Sequence, residues 1–189
     1  MRQTGPRHFP VAAARALGIA LLQLALLPAI AQTSAPTRQT VRWQVFESAA
    51  GKFRVVFPEA PTTSAGKMRT DIGEVLSTRH TAWDGGGTTY DVRINEYPKA
   101  GIDRLTAEKL LDAARDGLIY RANGKLESEK AITWEKLPGR DQVIVAENGM
   151  RYRVRLLLLG SRLYQLTAMA RAPNLADEQR FIDSFQLIR

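Results

Sequence analysis

Gln142-Val-Ile-Val-Ala146, Asn148-Gly149, Met150-Arg-Tyr-Arg-Val-Arg-Leu-Leu-Leu-Leu159, Gly160-Ser161 and Arg162-Leu-Tyr-Gln-Leu-Thr-Ala-Met-Ala170 follow one another in the chain. Short β-branched and apolar runs parted by turn dipeptides read as strands. Asn-Gly suits a type I′ hairpin turn, where both central residues need positive φ. The spacing therefore predicts a three-stranded antiparallel meander, turning at Asn148-Gly149 and at Gly160-Ser161.

The same reading extends upstream. Leu126–Glu135 is a further strand, with Pro138-Gly139 as the turn after it. In Thr88–Tyr97, Tyr90, Val92 and Ile94 share one face and Asp91, Arg93 and Asn95 the other, the period-two pattern of a strand. Gly66–Trp83 is extended, dividing into two short strands near Asp71–Gly73. Val41–Phe46 alternates as a half-buried strand. Gly51-Lys52 turns into the strand Phe53-Arg-Val-Val-Phe57, which Pro58 and Pro61 stop.

Two helices stand apart from this pattern. Between about 104 and 121, Leu110, Leu111, Ala114 and Leu118 make one apolar stripe, and Asn123-Gly124 closes the helix, glycine accepting the left-handed conformation there. Between about 174 and 185, Asn174 is the N-cap, Asp177 favours the positive end of the dipole, and Phe181, Ile182 and Phe185 form the buried face. The predicted class is α+β, an antiparallel sheet covered by a central and a C-terminal helix.

The N-terminus carries an address. Arg2, Arg7 and Arg15 precede an apolar run from Ala16 through Leu27 to Ile30, and Ala29-Ile30-Ala31 presents small residues before Gln32. A basic stretch, a short apolar run and an A-x-A site predict a Sec-type signal peptide over residues 1–31, cut between Ala31 and Gln32. The run is shorter than the roughly 20 residues a spanning helix needs and contains Gln23. The expected location is the periplasm or the medium, with no stable membrane span after cleavage. Residues 32–40 read as a flexible linker, and 41–189 as a single domain.

Composition narrows the function. Of 27 Lys and Arg, three fall in residues 1–31 and none of the 19 Asp and Glu does, leaving a mature charge of +5. That charge is ordinary for solubility and also favours anionic partners. The chain has no cysteine, so thiol catalysis, zinc thiolates and iron–sulfur clusters are excluded. His80 is the one histidine beyond the signal segment, which leaves metalloenzyme sites of several imidazoles without ligands. No cofactor motif is present, and nucleic acid is not an expected partner, for want of a clustered basic motif.

Gly51–Pro61, Tyr90–Pro98, Leu110–Gly117, Leu137–Arg140, Arg151–Leu166 and Phe181–Leu187, in their order and spacing, resemble the PsbP/DcrB-like superfamily of small exported proteins over nearly the whole mature chain. The resemblance implies an antiparallel sheet sandwiched by helices. Members include an extrinsic photosystem subunit, a periplasmic phage-sensitivity protein and a nuclear factor that binds a small GTPase. They share a fold used for binding and accessory roles and no common reaction, and the matched segments carry no functional residues to transfer.

Among side chains, Arg151, Arg153 and Arg155 share one face of a strand about 7 Å apart, two residues at about 3.4 Å each, with Arg162 opening the next strand. Such a row could hold a phosphate- or carboxylate-rich partner, or pair with acids across the strands. His80 without an acid partner or a G-x-S-x-G elbow gives no hydrolase triad. Asp112 with Asp116, and Asp71 with Glu74, read as surface charge, since glycosidase carboxylates flank a cleft. Asp84-Gly85-Gly86-Gly87 reads as a hairpin connection, lacking the alternating acids of a calcium loop. Trp43, Trp83 and Trp134 suit a ligand platform or the core. The expected function is a non-enzymatic envelope domain that binds or supports another component. The alternatives are a small-ligand binder with a pocket between sheet and helix, and a hydrolase of unrecognised type.

Overall fold

The computed structural model describes residues 41–188. The expected signal segment 1–31, its cleavage residues Ala29, Ala31 and Gln32, and the linker 32–40 lie outside the described residues. In chain order the elements are β1 (Gln44–Ser48), β2 (Phe53–Phe57), β3 (Thr62–Thr70), β4 (Gly73–Trp83), β5 (Thr89–Glu96), α1 (Lys99–Ile102), α2 (Ala107–Ala122), β6 (Gly124–Trp134), β7 (Leu137–Ala146), β8 (Arg151–Leu159), β9 (Arg162–Ala170), α3 (Leu175–Asp183) and β10 (Gln186–Leu187). They build a seven-stranded antiparallel sheet in the order β3-β4-β5-β9-β8-β7-β6 and a small sheet in the order β1-β2-β10. The meander of β7, β8 and β9 is present as the sequence predicts.

Alternation along the central strands gives the large sheet two different faces. Tyr90, Val92 and Ile94 of β5, Leu157 of β8 and Tyr164, Leu166 and Ala168 of β9 point to one side. There they meet Phe53, Val55 and Phe57 of β2 and Phe181 and Ile182 of α3 in an aromatic core. On the other side Leu110, Leu111 and Leu118 of α2 pack on Ile144, Val154, Leu156, Leu158 and Leu163. α2 lies over β6, β7 and β8. The β4 and β5 part of that face carries polar side chains instead: Ser77, Arg79 and Thr81 stand opposite Asn95, Arg93 and Asp91.

Several boundaries differ from the sequence reading, each for a local reason. β1 begins at Gln44, and Val45 is 69% exposed while Phe46 packs on the core, the reverse of the expected alternation. The central helix starts at Ala107, because Thr106 caps it by accepting from the Lys109 amide at 3.3 Å and the short α1 occupies the residues before. Its left-handed residue is Asn123 itself, with φ of 46°. Gly124 is already in β6, where a Cβ would stand 2.7 Å from the Val145 carbonyl oxygen.

The turns are also redistributed. The two-residue turn with both φ positive falls on Glu135 (47°) and Lys136 (68°), between Trp134 and its partner Leu137. Pro138 and Gly139, expected as that turn, lie inside β7; a Cβ at Gly139 would sit 2.4 Å from the Leu156 carbonyl oxygen of the neighbouring strand. At Asn148-Gly149 only Gly149 has positive φ (80°), and the Gly149 amide donates to Ala146. That hairpin is a three-residue connection with glycine in the left-handed position, and not type I′.

α3 is capped as predicted, Asn174 Oδ1 accepting from the Ala176 amide at 3.2 Å. The helix ends at Asp183, so Phe185 reaches the core from beyond it.

Candidate functional site

Arg151, Arg153 and Arg155 project from β8 on the α3 side of the sheet and run along one flank of that helix. Arg151 Nη1 donates to Glu178 at 2.9 Å, and Glu178 is fully buried. Arg155 makes a two-pronged contact with Asp141 at 2.7 and 2.8 Å and also reaches Asp183 at 3.2 Å. Arg153 donates to the neutral Gln179. Arg162 pairs with Glu96 at 2.7 Å. It lies at the opposite end of the β8–β9 hairpin from Arg151, since Leu159 faces Arg162 and Arg151 faces Ala170. The sequence thus places three of the four arginines together, and acids from α3 and β7 occupy two of those three.

The other singled-out residues fall into structural roles. Asp112 and Asp116 flank Arg115 at 3.0 and 2.8 Å. Asp112 also accepts from Arg140 at 2.8 Å, tying α2 to β7. Glu74 pairs with Lys67 at 2.9 Å, and Asp71 stands exposed on the turn before β4. Asp84 Oδ1 accepts from the Gly86 and Thr88 amides at 2.7 and 3.0 Å, closing the β4–β5 hairpin. Trp43 and Trp134 pack on the aromatic core while Trp83 is 53% exposed, so the three form no common platform.

His80 is buried between Phe46 and Phe53, its Nδ1 2.8 Å from the Thr63 hydroxyl. Burial lowers its pKa below the ordinary 6.5, with the Asp91 carboxylate pulling the other way. Below pH 6.5 the unfolded chain therefore takes up the proton before the folded chain does. Stability from this group is complete above 6.5 and falls as the pH drops toward the folded value. One proton limits the slope to about 1.4 kcal/mol per pH unit. Urea midpoints between pH 8 and 5.5 should fall more in the native chain than in His80→Gln; parallel profiles would contradict the assignment.

The geometry that sequence reading missed lies between α2 and the polar half of the large sheet. One cavity of about 220 Å³ is walled by Arg79, Asp91 and Arg93 from the sheet and by Arg121 at the end of α2, with Gln165 and Thr167 beneath. A second, of about 270 Å³, shares Arg121 and Gln165 with it and continues along Asn95, Tyr97, Ala114, Leu110 and Ile72. The two adjoin at Arg121 and Gln165, and we call this pair of cavities the groove.

Its charges are unbalanced. Asp91, almost wholly buried, is engaged by Arg79 and by the Thr81 hydroxyl at 3.1 Å. Burial pushes its carboxyl up from the ordinary range while those hydrogen bonds pull it back. Arg93 and Arg121 form no ion pair among the described residues, and the buried Nε of Arg93 has no hydrogen-bond partner there. Desolvation first, and the like charge of Arg93 second, disfavour the charged form of Arg121. A larger cavity of about 610 Å³ opens beside α1, but its lysine, Lys99, is already held by Asp103 at 2.9 Å.

No protein-family model matches the sequence, and no curated protein matches it. The solution structure of cyanobacterial PsbP (CyanoP) from Synechocystis sp. PCC 6803 is similar, with a TM-score of 0.53 over 82% of this chain and 98% of that one, at 10% identity. The chain has a PsbP-like fold. PA94 from Pseudomonas aeruginosa, a protein of unknown function, aligns at a TM-score of 0.34 over 73% of this chain and 89% of that one, also at 10% identity. At such identity the PsbP-like fold carries architecture alone, and function must come from the site. Among the described residues of this PsbP-like domain no helix is long and apolar enough to cross a membrane. No cluster of three metal-ligating side chains occurs there either.

Proposed function

We propose that the chain is an exported, non-enzymatic binding domain of the bacterial envelope whose site is the groove between α2 and the polar half of the large sheet. The observation that carries this reading is the pair Arg93 and Arg121, which line one cavity and form no ion pair among the described residues, the one carboxylate there, Asp91, being engaged by Arg79. Unpaired, partly desolvated like charges cost stability, and a ligand that engages them recovers it. The signal peptide expected over residues 1–31 supports an envelope location. The packing of His80 between Phe46 and Phe53, on the opposite face of the sheet from the groove, supports binding over acid–base catalysis there.

A ligand that binds only the folded state raises the melting temperature with the logarithm of its concentration, stabilising that state by about 2.7 kcal/mol at a hundred times its Kd. For a domain of this size that corresponds to roughly 5 to 10 °C. Screening a metabolite panel should give such a shift with at least one compound. Ala113→Trp, which fills the groove from an exposed helix position, should abolish it. A shift that survives Ala113→Trp places the ligand elsewhere.

A second reading has one specific support. Arg153, unlike its neighbours, is matched only by the neutral Gln179, leaving one uncompensated charge on the flank of α3 for an acidic envelope protein. Photocrosslinking from position 153 in living cells tests it, with a discrete adduct expected and none from a control probe at 112.

A further inference from the structure

The groove is not uniform along its length, and the difference specifies a ligand. At the end formed by β4, β5 and the last turn of α2, three guanidinium groups and one carboxylate meet, and that carboxylate is already taken by Arg79. Gln165, buried to 95%, lies in register with Arg93 and offers a neutral polar floor. At the other end the lining turns apolar through Met68, Ile72, Leu105 and Leu110, with the small side chains of Ala113 and Ala114 leaving the space open. Asp71 stands at this second end, on the outer turn, and repels a negative group from it. About 270 Å³ here is room for on the order of nine water-sized groups at roughly 30 Å³ each.

Resting on the groove reading above, we propose that the ligand is a single-tailed amphipathic anion, its oxyanion head between Arg93 and Arg121 and its apolar tail along Met68, Ile72, Leu105 and Leu110. Guanidinium groups offer paired N–H donors that match a carboxylate or a phosphate monoester. Arg93 and Arg121 both line the cavity and supply such donors. Burial of the tail against Leu110 and Ile72 adds the non-directional part of the affinity. The polarity of the two ends and the position of Asp71 fix the orientation.

Isothermal titration of the full chain with octanoate, octyl phosphate, octanol and acetate tests this directly. Octanoate and octyl phosphate should each bind at least tenfold more tightly than octanol, and acetate at least tenfold more weakly than octanoate. Arg93→Gln and Arg121→Gln should each weaken octanoate about tenfold and leave octanol unchanged. Arg121→Gln should melt at or above the temperature of the native chain, because it removes one of two repelling charges and breaks no ion pair, so its lost affinity is not lost folding. Arg93→Gln also gives up attraction for the Asp91 carboxylate, and its melting curve shows that it is folded at the titration temperature. Equal binding of octanol and octanoate, both blocked by Ala113→Trp, would overturn the anion while the groove stands. Acetate binding as tightly as octanoate would overturn the tail. Binding of none of the four, or binding that persists in Ala113→Trp, would overturn both the anion and the groove.

Discussion

Replacing Arg151 by methionine should lower stability by about 3 kcal/mol, read as a drop in the urea midpoint at constant slope. Glu178 is fully buried on the inner face of α3, and its Oε2 accepts from Arg151 at 2.9 Å. Its other oxygen, Oε1, has no hydrogen-bond partner among the described residues. Removing the guanidinium therefore strands a carboxylate that neither water nor a second donor solvates. Losses of about 3 to 5 kcal/mol are typical when one member of a buried pair is deleted. The partial exposure of Arg151, 23% of its side chain, puts this case at the lower end. Combining Arg151→Met with Glu178→Leu should restore most of the loss, since an apolar pair of similar volume needs no compensation. A cost below about 1 kcal/mol for the single variant would mean the pair is effectively solvated. Arg151 would then be free to serve an external partner.

The second large effect is Phe53→Ala, expected to cost about 4 kcal/mol. Phe53 is wholly buried and, with Phe46, is a ring through which the small sheet meets the large one. It stacks on Phe185 with centroids 5.5 Å apart and meets the Tyr164 ring at 6.4 Å and His80 at 5.5 Å. Truncation leaves a cavity bounded by β2, β9 and the segment after α3, three elements that cannot collapse together without breaking strand pairing. Val45→Ala, at a position 69% exposed on the adjacent strand, should stay within about 0.5 kcal/mol of the native chain. Similar costs for the two would show that the small sheet does not anchor the aromatic core.

Much of this architecture is written locally in the sequence. The period-two pattern of β5 places Tyr90, Val92 and Ile94 on the aromatic core, and the stripe through Leu110, Leu111 and Leu118 seats α2. Asn174 caps α3 because its side-chain oxygen accepts from the first-turn amides of Ala176 and Asp177, which have no partner within the helix. What escaped local reading depends on neighbours distant in the chain. Glu135 and Lys136 adopt positive φ with neither glycine nor asparagine, because the pairing of β6 with β7 imposes it. Pro138-Gly139 reads as a turn, yet Gly139 is there to let the Leu156 carbonyl approach.

The candidate site shows the same division. Asp91, Arg93 and Asn95 are visible in sequence as the polar face of a strand, and a solvated face is the ordinary expectation for such residues. Asp91 and Asn95 are in fact buried, and only the folding of α2 onto the sheet brings Arg121, 28 residues further on, to Arg93. Conversely the row Arg151, Arg153 and Arg155 is conspicuous in sequence. One of its members, Arg155, answers Asp141 directly opposite across the β7–β8 pair, the cross-strand alternative the sequence offers. Glu178 and Asp183 come from α3, which no spacing rule connects to Arg151 and Arg155.

NMR of the arginine Nε–H groups during titration with octanoate tests the central claim most directly, because it reports each guanidinium separately. Saturable shifts of the Arg93 and Arg121 signals, with those of Arg151, Arg153 and Arg155 unmoved, are the predicted result. Shifts confined to Arg153 and its neighbours, or none at any arginine, would contradict it.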